Sequence, residues 1–179
     1  MNYHLRRLTA TDLLKLDKIY NYLEEHPCCL KSHFRNNTKS GNKDHAIRIG
    51  AVYQRQARGS TAGMVMYRGS YQISSLSLKH PDLDNLLIEF MGHHNPEFKF
   101  NSVYITKNCQ SKPHVDSGNV DTSTIVSIGK FEGGGLWVEE DHTKTTLFDI
   151  KKYSLEFDGS KHKHYTENFT GTRYSLIFF

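Results

Sequence analysis

The sequence predicts an α+β fold that is mainly β: a β-sandwich or jelly roll buttressed by N-terminal helices. Helical periodicity is confined to the first half of the 179 residues, and short β-rich runs separated by turn residues dominate the second half. No repeat period divides the chain, and its length suits one domain with a substantial core. We therefore expect a single domain over residues 1–179, with a support region at 1–97 and a functional core at 98–179.

Two helices are predicted in the support region. The first is capped by Thr11 and ends by Pro27, and its apolar residues recur at helical spacing: Leu13, Leu16, Tyr20 and Leu23. The second begins at Pro81 and ends before Gly92, and its apolar stripe is formed by Leu83, Leu86, Leu87, Phe90 and Met91. Both stripes are expected to face the core. The polar segment 31–44 between them is expected to be a surface loop.

Strands are predicted wherever β-branched and aromatic residues cluster between turn residues, at 46–53, 64–67, 71–76, 98–106, 123–128, 136–139, 145–150, 153–157 and 173–179. Asp158-Gly159 and Gly133-Gly134-Gly135 are expected to form tight hairpin turns, because glycine supplies the positive φ that such turns require. The triple glycine is not followed by Lys and Ser or Thr, so it does not predict a phosphate loop.

Composition excludes several classes of protein. The apolar fraction is 37%, the mean hydropathy is -0.60 and no long apolar run is present, so we expect a soluble protein without a membrane span. The N-terminus lacks the apolar stretch of a secretory signal, which favours an intracellular location, cytoplasmic or nuclear. Three cysteines without a CxxC pair predict neither a disulfide framework nor a cysteine zinc site. A net charge of +4 permits a polyanionic partner.

A His-x-Asp pair, His114 and Asp116, offers the first candidate for chemistry. On an extended backbone both side chains project to the same side and can bind one metal ion. The chain contains a second such pair at His80-Pro81-Asp82, but there Pro81 predicts the start of a helix, and helix capping is the expected role.

Residues further along the chain distinguish the first pair from the second. About fifty residues downstream lie His162 and His164, followed by Arg173 and Ser175. Two histidines and a carboxylate leave three positions of an iron ion open, as in non-haem Fe(II) oxygenases, so that a 2-keto acid and dioxygen can bind. The far carboxylate of the keto acid needs a buried cation, and the planar fork of arginine suits it. Spacing alone leaves His162 and His164 both open as the third ligand.

These residues resemble the Fe(II)/2-oxoglutarate-dependent dioxygenases, whose double-stranded β-helix (jelly roll) carries His-x-Asp, a distal histidine and then Arg-x-Ser. Within that superfamily, the runs 113–117, 133–138 and 157–175 look like the TET/JBP-type nucleic-acid base oxygenases, and the resemblance covers roughly residues 98–179. It implies that His114, Asp116 and His164 bind the iron, because His164 occupies the family's His-aromatic-Thr position. Arg173 and Ser175 would anchor 2-oxoglutarate. Tyr104 and Asn108 are candidates to hydrogen-bond the keto acid.

The resemblance also implies a function. With Fe(II), 2-oxoglutarate and O2, the protein would hydroxylate its substrate and release succinate and CO2. A nucleic-acid base, such as 5-methylcytosine or thymine, is the expected substrate, and DNA or RNA the expected partner. A flipped base would need aromatic stacking, for which Trp137 and Tyr165 are candidates. The cysteine-rich region of animal TET proteins has no counterpart here, so nucleic-acid contacts are expected from residues 31–58 or from loops at the barrel mouth.

Two other interpretations remain open at this stage. The same chemistry could act on a protein, as in prolyl hydroxylation, or on a small molecule. The chain could also be a non-catalytic jelly-roll binding module in which His114 and Asp116 are surface residues or bind zinc without turnover.

Overall fold

A computed structural model describes residues 3–32, 57–116, 121–141 and 144–179. The helices are α1 (Ala10–Glu25), α2 (Ser75–Lys79) and α3 (Pro81–His94). The strands are β1 (Tyr3–Arg7), β2 (Lys31–Ser32), β3 (Arg58–Tyr67), β4 (Ser70–Ile73), β5 (Ser102–Lys107), β6 (Ser123–Gly133), β7 (Leu136–Asp141), β8 (Lys144–Phe148), β9 (Tyr153–Phe157), β10 (His164–Thr166) and β11 (Phe169–Phe178).

The strands form two antiparallel sheets. In the large sheet the order is β1, β9, β6, β11, β5, β3 and β2, with β4 paired to β3, and in the small sheet it is β10, β7 and β8. Apolar residues of both sheets pack in one cluster between them, including Ile125, Val138 and Leu155. The helices cover the other face of the large sheet. The predicted fold class, mainly β with a jelly roll buttressed by N-terminal helices, is confirmed.

Helix α1 begins earlier than predicted. Thr9, not Thr11, is its cap, because the Thr9 hydroxyl accepts a hydrogen bond from the backbone N–H of Asp12 while the Asp12 carboxylate accepts one from the backbone of Thr9. The predicted core face is correct for Leu16 and Leu23. Leu13, in contrast, is 47% exposed, and Ile19 is buried in the core.

Helix α3 begins at Pro81, as predicted, and continues past Gly92 to His94. Its buried residues pack with those of α1 against the outer face of the large sheet, which contributes Val126, Ile128, Tyr174, Leu176 and Phe178. At its N-terminus Asp82 lies in the first turn, while the ring of His80 hydrogen-bonds the hydroxyl of Tyr22 at 3.0 Å. No helix in the described parts of the chain has the length and apolar character needed to cross a membrane.

Most predicted strands of the C-terminal half coincide with β5 to β9 and β11, although β5 starts at Ser102 rather than at residue 98. The prediction at 71–76 is wrong at its end, because Ser74 caps α2 by accepting a hydrogen bond from Ser77. The sequence pattern did not predict strands β1, β2 and β10, and β2 lies within the segment 31–44 that was expected to be a surface loop. The strand expected at 46–53 and most of the polar segment 31–44 lie outside the described residues.

Both predicted hairpin turns are wrong. β6 pairs with β9 and β11, whereas β7 pairs with β8 and β10, so Gly133-Gly134-Gly135 carries the chain from the large sheet to the small one. Asp158-Gly159 follows β9 of the large sheet and leads into the loop before β10 of the small sheet. Positive φ at Gly133 and Gly134, +73° and +72°, therefore serves a crossover rather than a hairpin.

A buried polar network joins α1, α3 and β9. The Asp12 carboxylate accepts hydrogen bonds from Nδ1 of His93 at 2.9 Å and from Nδ1 of His94 at 3.1 Å, and the other ring nitrogen of His94 lies 2.6 Å from the Ser154 hydroxyl. Burial opposes ionisation of Asp12, but hydrogen bonds from Thr9, His93 and His94 outweigh it and hold its pKa well below the usual value. Burial also lowers the pKa of His94.

This network predicts a pH-dependent stability. Asp12, with a lowered folded-state pKa, stabilises the protein above about pH 4 and loses this effect as the pH falls further. The pKa of His94 is also lowered in the folded protein, so stability decreases as the pH falls below about 6.5, where the unfolded chain binds a proton more readily than the folded one. Asp12→Asn should therefore lower the free energy of unfolding by about 2 kcal/mol at pH 7, because an amide oxygen accepts fewer hydrogen bonds than a carboxylate. Urea unfolding between pH 7 and pH 3 measures this.

The difference between Asp12→Asn and the parent chain should shrink below pH 4. Glu89→Gln, which removes an exposed acid of α3 paired with Lys15, is the control and should change stability little. A difference that stays constant across the pH range would contradict the assignment of the acid lability to Asp12.

Candidate metal centre and carboxylate site

Residues 111–116, in the segment between β5 and β6, lie beside β10, so two distant parts of the sequence come together. The backbone N–H of His114 donates to the carbonyl of His164 at 3.1 Å, and the N–H of His164 donates to the carbonyl of His114 at 2.9 Å. The N–H of Asp116 donates to the carbonyl of Gly159 at 2.9 Å. Ser111 and Thr166 extend the pairing, with their hydroxyls 2.9 Å apart. The backbone thus fixes both segments before any ligand binds.

His114, Asp116 and His164 form a cluster with the geometry of a metal site. Nε2 of His114 lies 3.5 Å from Oδ1 of Asp116, and Nε2 of His164 lies 3.5 Å from Oδ2 of the same carboxylate. The three ligand atoms lie within 4.8 Å of one another, and no other such group occurs in the described parts of the chain. Two imidazoles and one carboxylate on one side of an ion match the donor set expected for non-haem iron.

Both histidines are held in the tautomer that a metal requires. Nδ1 of His114 lies 2.6 Å from the carbonyl of Lys112, and Nδ1 of His164 lies 2.9 Å from the carbonyl of His162. A carbonyl oxygen can only accept, so each Nδ1 carries the proton in the neutral ring, and the lone pair is on Nε2. The Nε2 atoms are the ones that face Asp116. Such backbone contacts orient histidine ligands in metal sites.

The Asp116 carboxylate is held ionised. Burial raises its pKa, but the contacts with the rings of His114 and His164, whose Nε2 atoms donate to the carboxylate when the rings are protonated, outweigh burial and keep the pKa well below its ordinary value. The side chains of His164 and His114 are 8% and 17% exposed, whereas that of Asp116 is 34% exposed. Access to the cluster is therefore on the Asp116 side.

His162, the alternative that spacing left open, lies apart from this cluster. Its Nδ1 is 3.3 Å from the carbonyl of Glu139, and its own carbonyl accepts the hydrogen bond from His164. Side chains alternate only along a strand, and the residues before His164 form a turn, so His162 need not face the same way as His164.

Gly159 packs directly against the cluster. A Cβ atom at this position would lie 3.0 Å from Oδ2 of Asp116 and 3.3 Å from Cε1 of His164. The absence of a side chain lets the loop after β9 approach the carboxylate while its carbonyl holds the Asp116 backbone. The sequence offered a signal for this residue, the Asp158-Gly159 pair, but we assigned it to a hairpin turn.

Arg173 lies on β11 and is only 1% exposed. Its Nε donates to the carbonyl of Gly134 at 3.0 Å, and Nη1 donates to the hydroxyl of Ser175 at 2.6 Å. The rings of Phe131 and Phe169 lie 5.7 and 5.4 Å from the guanidinium carbon. Burial lowers the pKa of Arg173 to about 10, so the side chain still carries its charge at neutral pH.

The guanidinium of Arg173 is incompletely satisfied. Nη2 is buried and has no hydrogen-bond partner among the described residues, and no carboxylate of those residues forms an ion pair with Arg173. A buried charge without a counterion is strongly unfavourable, so this arrangement fits a protein that binds an anion here. We call Arg173 and Ser175 together the carboxylate site.

Asn108 and Tyr104 differ in what they contact. Asn108 is buried with a left-handed φ of 52°, its side-chain oxygen accepts from the backbone N–H of Arg173 at 2.9 Å, and its own N–H donates to the Arg173 carbonyl at 2.8 Å. Asn108 thus holds the backbone of Arg173. Tyr104 pairs in register with Ile177, two residues beyond Ser175, so it shares the inner face of the large sheet with the carboxylate site.

Trp137 and Tyr165 face away from the metal cluster. They pair in register on β7 and β10, with ring centroids 6.2 Å apart and planes at 17°. Because side chains alternate along a strand, Tyr165 projects to the face of the small sheet opposite to His164. The aromatic pair therefore stacks on the outer face, and the expectation that it lines a base pocket is wrong.

No family model matches the sequence, and no curated protein matches it significantly. Solved structures share its fold. A prolyl hydroxylase from Trichoplax adhaerens, in complex with a hypoxia inducible factor peptide, is 14% identical with a TM-score of 0.57, over 99% of this chain and 83% of that one. An oxidoreductase of the 2OG-Fe(II) oxygenase family from Burkholderia pseudomallei is 16% identical, and the match, with a TM-score of 0.53, covers 92% of this chain and 89% of that one. NgTET1 in complex with 5mC DNA is 14% identical, and the match, with a TM-score of 0.53, covers 90% of this chain and 67% of that one.

The close approach of Gly159 predicts a metal-binding defect without loss of fold. Gly159→Ala should weaken Mn(II) binding by about tenfold, because the new methyl group displaces the Asp116 carboxylate, as loss of supporting contacts around metal ligands does elsewhere. Calorimetric titration with Mn(II) measures the affinity. Gly92→Ala, where an added Cβ meets no atom within 4 Å, is the control and should bind normally. Equal affinity in the two variants would refute the role of Gly159.

Proposed function

We propose that this protein is an Fe(II)- and 2-oxoglutarate-dependent dioxygenase that hydroxylates its substrate and releases succinate and CO2. One observation carries the proposal: a jelly roll holds a His-Asp-His cluster and, on its large sheet, a buried arginine with an unpartnered nitrogen. Each half is ambiguous alone. Together they correspond to the two binding functions that this chemistry requires, one for a metal ion and one for the far end of a keto acid.

The residues present fit the metal. His114, Asp116 and His164 would hold Fe(II) through two Nε2 atoms and one carboxylate oxygen, which leaves open positions for the keto acid and dioxygen. Bound iron would supply the redox chemistry that activates dioxygen. The carbonyls of Lys112 and His162 orient the imidazoles with their Nε2 atoms towards Asp116, and the exposed side of Asp116 leaves an approach for substrate.

The residues also fit the cosubstrate. Arg173 would bind the distal carboxylate of 2-oxoglutarate through the nitrogen that lacks a partner, and Ser175 would hold the guanidinium in place beside it. Asn108 would contribute by fixing the backbone of Arg173, and Tyr104 by its position on the same inner face.

A non-catalytic zinc module accounts for less of the structure. A structural zinc site has four protein ligands as a rule, whereas this cluster has three and is accessible from one side. A purely structural role also gives no reason for a buried, unpaired guanidinium. The dioxygenase proposal explains both features.

For the substrate we propose a nucleic-acid base, as in the TET/JBP-type enzymes that residues 98–179 resemble. The net charge of +4 and the structural likeness to NgTET1, which is in complex with 5mC DNA, support this. A peptidyl proline is the second candidate, supported by the likeness to the Trichoplax adhaerens prolyl hydroxylase in complex with its peptide. With Trp137 and Tyr165 on the outer face, a flipped base would have to be held by other residues.

Substitution of the ligands tests the metal assignment. His114→Ala or Asp116→Ala should abolish succinate formation from 2-oxoglutarate and lower Mn(II) affinity, while the melting temperature changes little because the backbone hydrogen bonds that hold both residues are kept. His162→Ala is the matched control and should retain both properties. If His162→Ala lost succinate formation and Mn(II) affinity while His164→Ala retained both, His162 rather than His164 would be the third ligand.

Arg173→Leu tests the anchor. The dissociation constant of 2-oxoglutarate should rise by about 30-fold or more, since a charge-assisted hydrogen bond contributes roughly 2 kcal/mol. Calorimetry in the presence of Mn(II) measures the affinity. Lys130→Gln, which removes an exposed cation from the neighbouring strand, should bind normally. An unchanged dissociation constant in Arg173→Leu would refute the anchor.

The substrate class is tested by incubating the protein with Fe(II), 2-oxoglutarate and, separately, DNA containing 5-methylcytosine, RNA or a proline-containing peptide library. We expect succinate release above the background together with an oxygen-mass shift in the nucleic acid. A mass shift confined to peptides would replace the first substrate candidate with the second.

A further inference from the structure

Strand β6 carries two buried hydroxyls without a hydrogen-bond partner among the described residues, those of Thr124 and Ser127. They lie on opposite faces of the large sheet. Val126 and Ile128, the neighbours of Ser127, pack in the helix-side cluster, whereas Ile125 packs between the sheets. Because side chains alternate along a strand, Ser127 faces the interior of the barrel and Thr124 faces the helix side.

Ser127 lies in a row of hydroxyls at the carboxylate site. Its register partner on β11 is Ser175, and the partner of Ser175 on β5 is Thr106. Residues paired in register project to the same face with Cβ atoms about 5 Å apart. Ser175 accepts the hydrogen bond from Nη1 of Arg173, so the Ser127 side chain lies beside the residue that contacts the guanidinium with the unpartnered nitrogen.

The donors at this place complement one carboxylate. Arg173 uses Nε on Gly134 and one N–H of Nη1 on Ser175, so three of its five N–H groups remain, two of them on Nη2. The Ser175 hydroxyl accepts from Arg173 and can still donate its own proton, and the Ser127 hydroxyl has a proton to donate. An ionised carboxylate offers about four acceptor positions and no donor, which complements this set.

We infer that Ser127 is a cosubstrate-binding residue: its hydroxyl donates to the same distal carboxylate that Arg173 binds, from the neighbouring strand. The inference rests on the proposed function and adds a donor to it. It gives a role to a hydroxyl that is only 1% exposed on the inner face of the large sheet. A buried hydroxyl without a hydrogen-bond partner is unfavourable, and a bound carboxylate would accept its hydrogen bond.

The test compares Ser127→Ala with the parent chain by calorimetry in the presence of Mn(II), using 2-oxoglutarate and oxalate as separate probes. Oxalate chelates a metal but has no distal carboxylate. Ser127→Ala should weaken 2-oxoglutarate binding by about tenfold, the effect of one hydrogen bond to a charged acceptor, and leave oxalate binding unchanged. Its melting temperature without ligand should not fall, because no hydrogen bond is lost.

Thr124→Val is the matched control, since it removes the other unpartnered hydroxyl of the same strand from the opposite face. It should bind both probes normally. Ser127→Thr, which keeps the hydroxyl, should retain 2-oxoglutarate affinity, and Ser127→Cys replaces Ser127→Ala in the comparison if the alanine variant does not fold.

The outcomes separate the two proposals. If the parent chain binds no 2-oxoglutarate, the proposed function is wrong and the role of Ser127 is overturned with it. If the parent chain binds and Ser127→Ala binds equally well, only the role of Ser127 is overturned. An equal loss for 2-oxoglutarate and oxalate would place the effect of Ser127 at the metal and also overturn the inference.

Discussion

The reciprocal backbone hydrogen bonds between His114 and His164 are the constraint on which the rest of the site depends. They join a segment that follows the large sheet to a strand of the small sheet, and they leave both side chains free to act. Asp116 follows two residues later, and its own N–H is held by Gly159. Main-chain pairing therefore fixes the relative positions of three polar side chains, whose mutual contacts at 3.5 Å then follow.

A second constraint is electrostatic. The deeply buried guanidinium of Arg173 keeps its charge at neutral pH, because burial lowers its pKa only to about 10. Its contacts are the Gly134 carbonyl, the Ser175 hydroxyl and the two phenylalanine rings. These contacts orient the fork without neutralising it. A carboxylate side chain in the same place would have neutralised the cation and removed its capacity to bind a ligand.

Much of this could be predicted from local pattern. Period-two spacing predicted that His114 pairs with Asp116 and that Arg173 pairs with Ser175, because both relations lie within one extended segment. Spacing could not choose between His164 and His162, since that choice depends on where β10 begins. It also could not assign the glycines: a positive φ signals a turn of the backbone but does not state which strands the turn connects. The outward stacking of Trp137 on Tyr165 depends on a register between strands distant in sequence.

The two glycine crossovers have a consequence for how this protein can change. Links between strands are commonly the parts of a β-domain that accept insertions, because they lie outside the packed layers. Here the link at Gly134 touches the Arg173 side chain, and the link at Gly159 touches Asp116. Lengthening either link would disturb a ligand-binding group, so we expect natural length variation in relatives of this chain to concentrate in other connections.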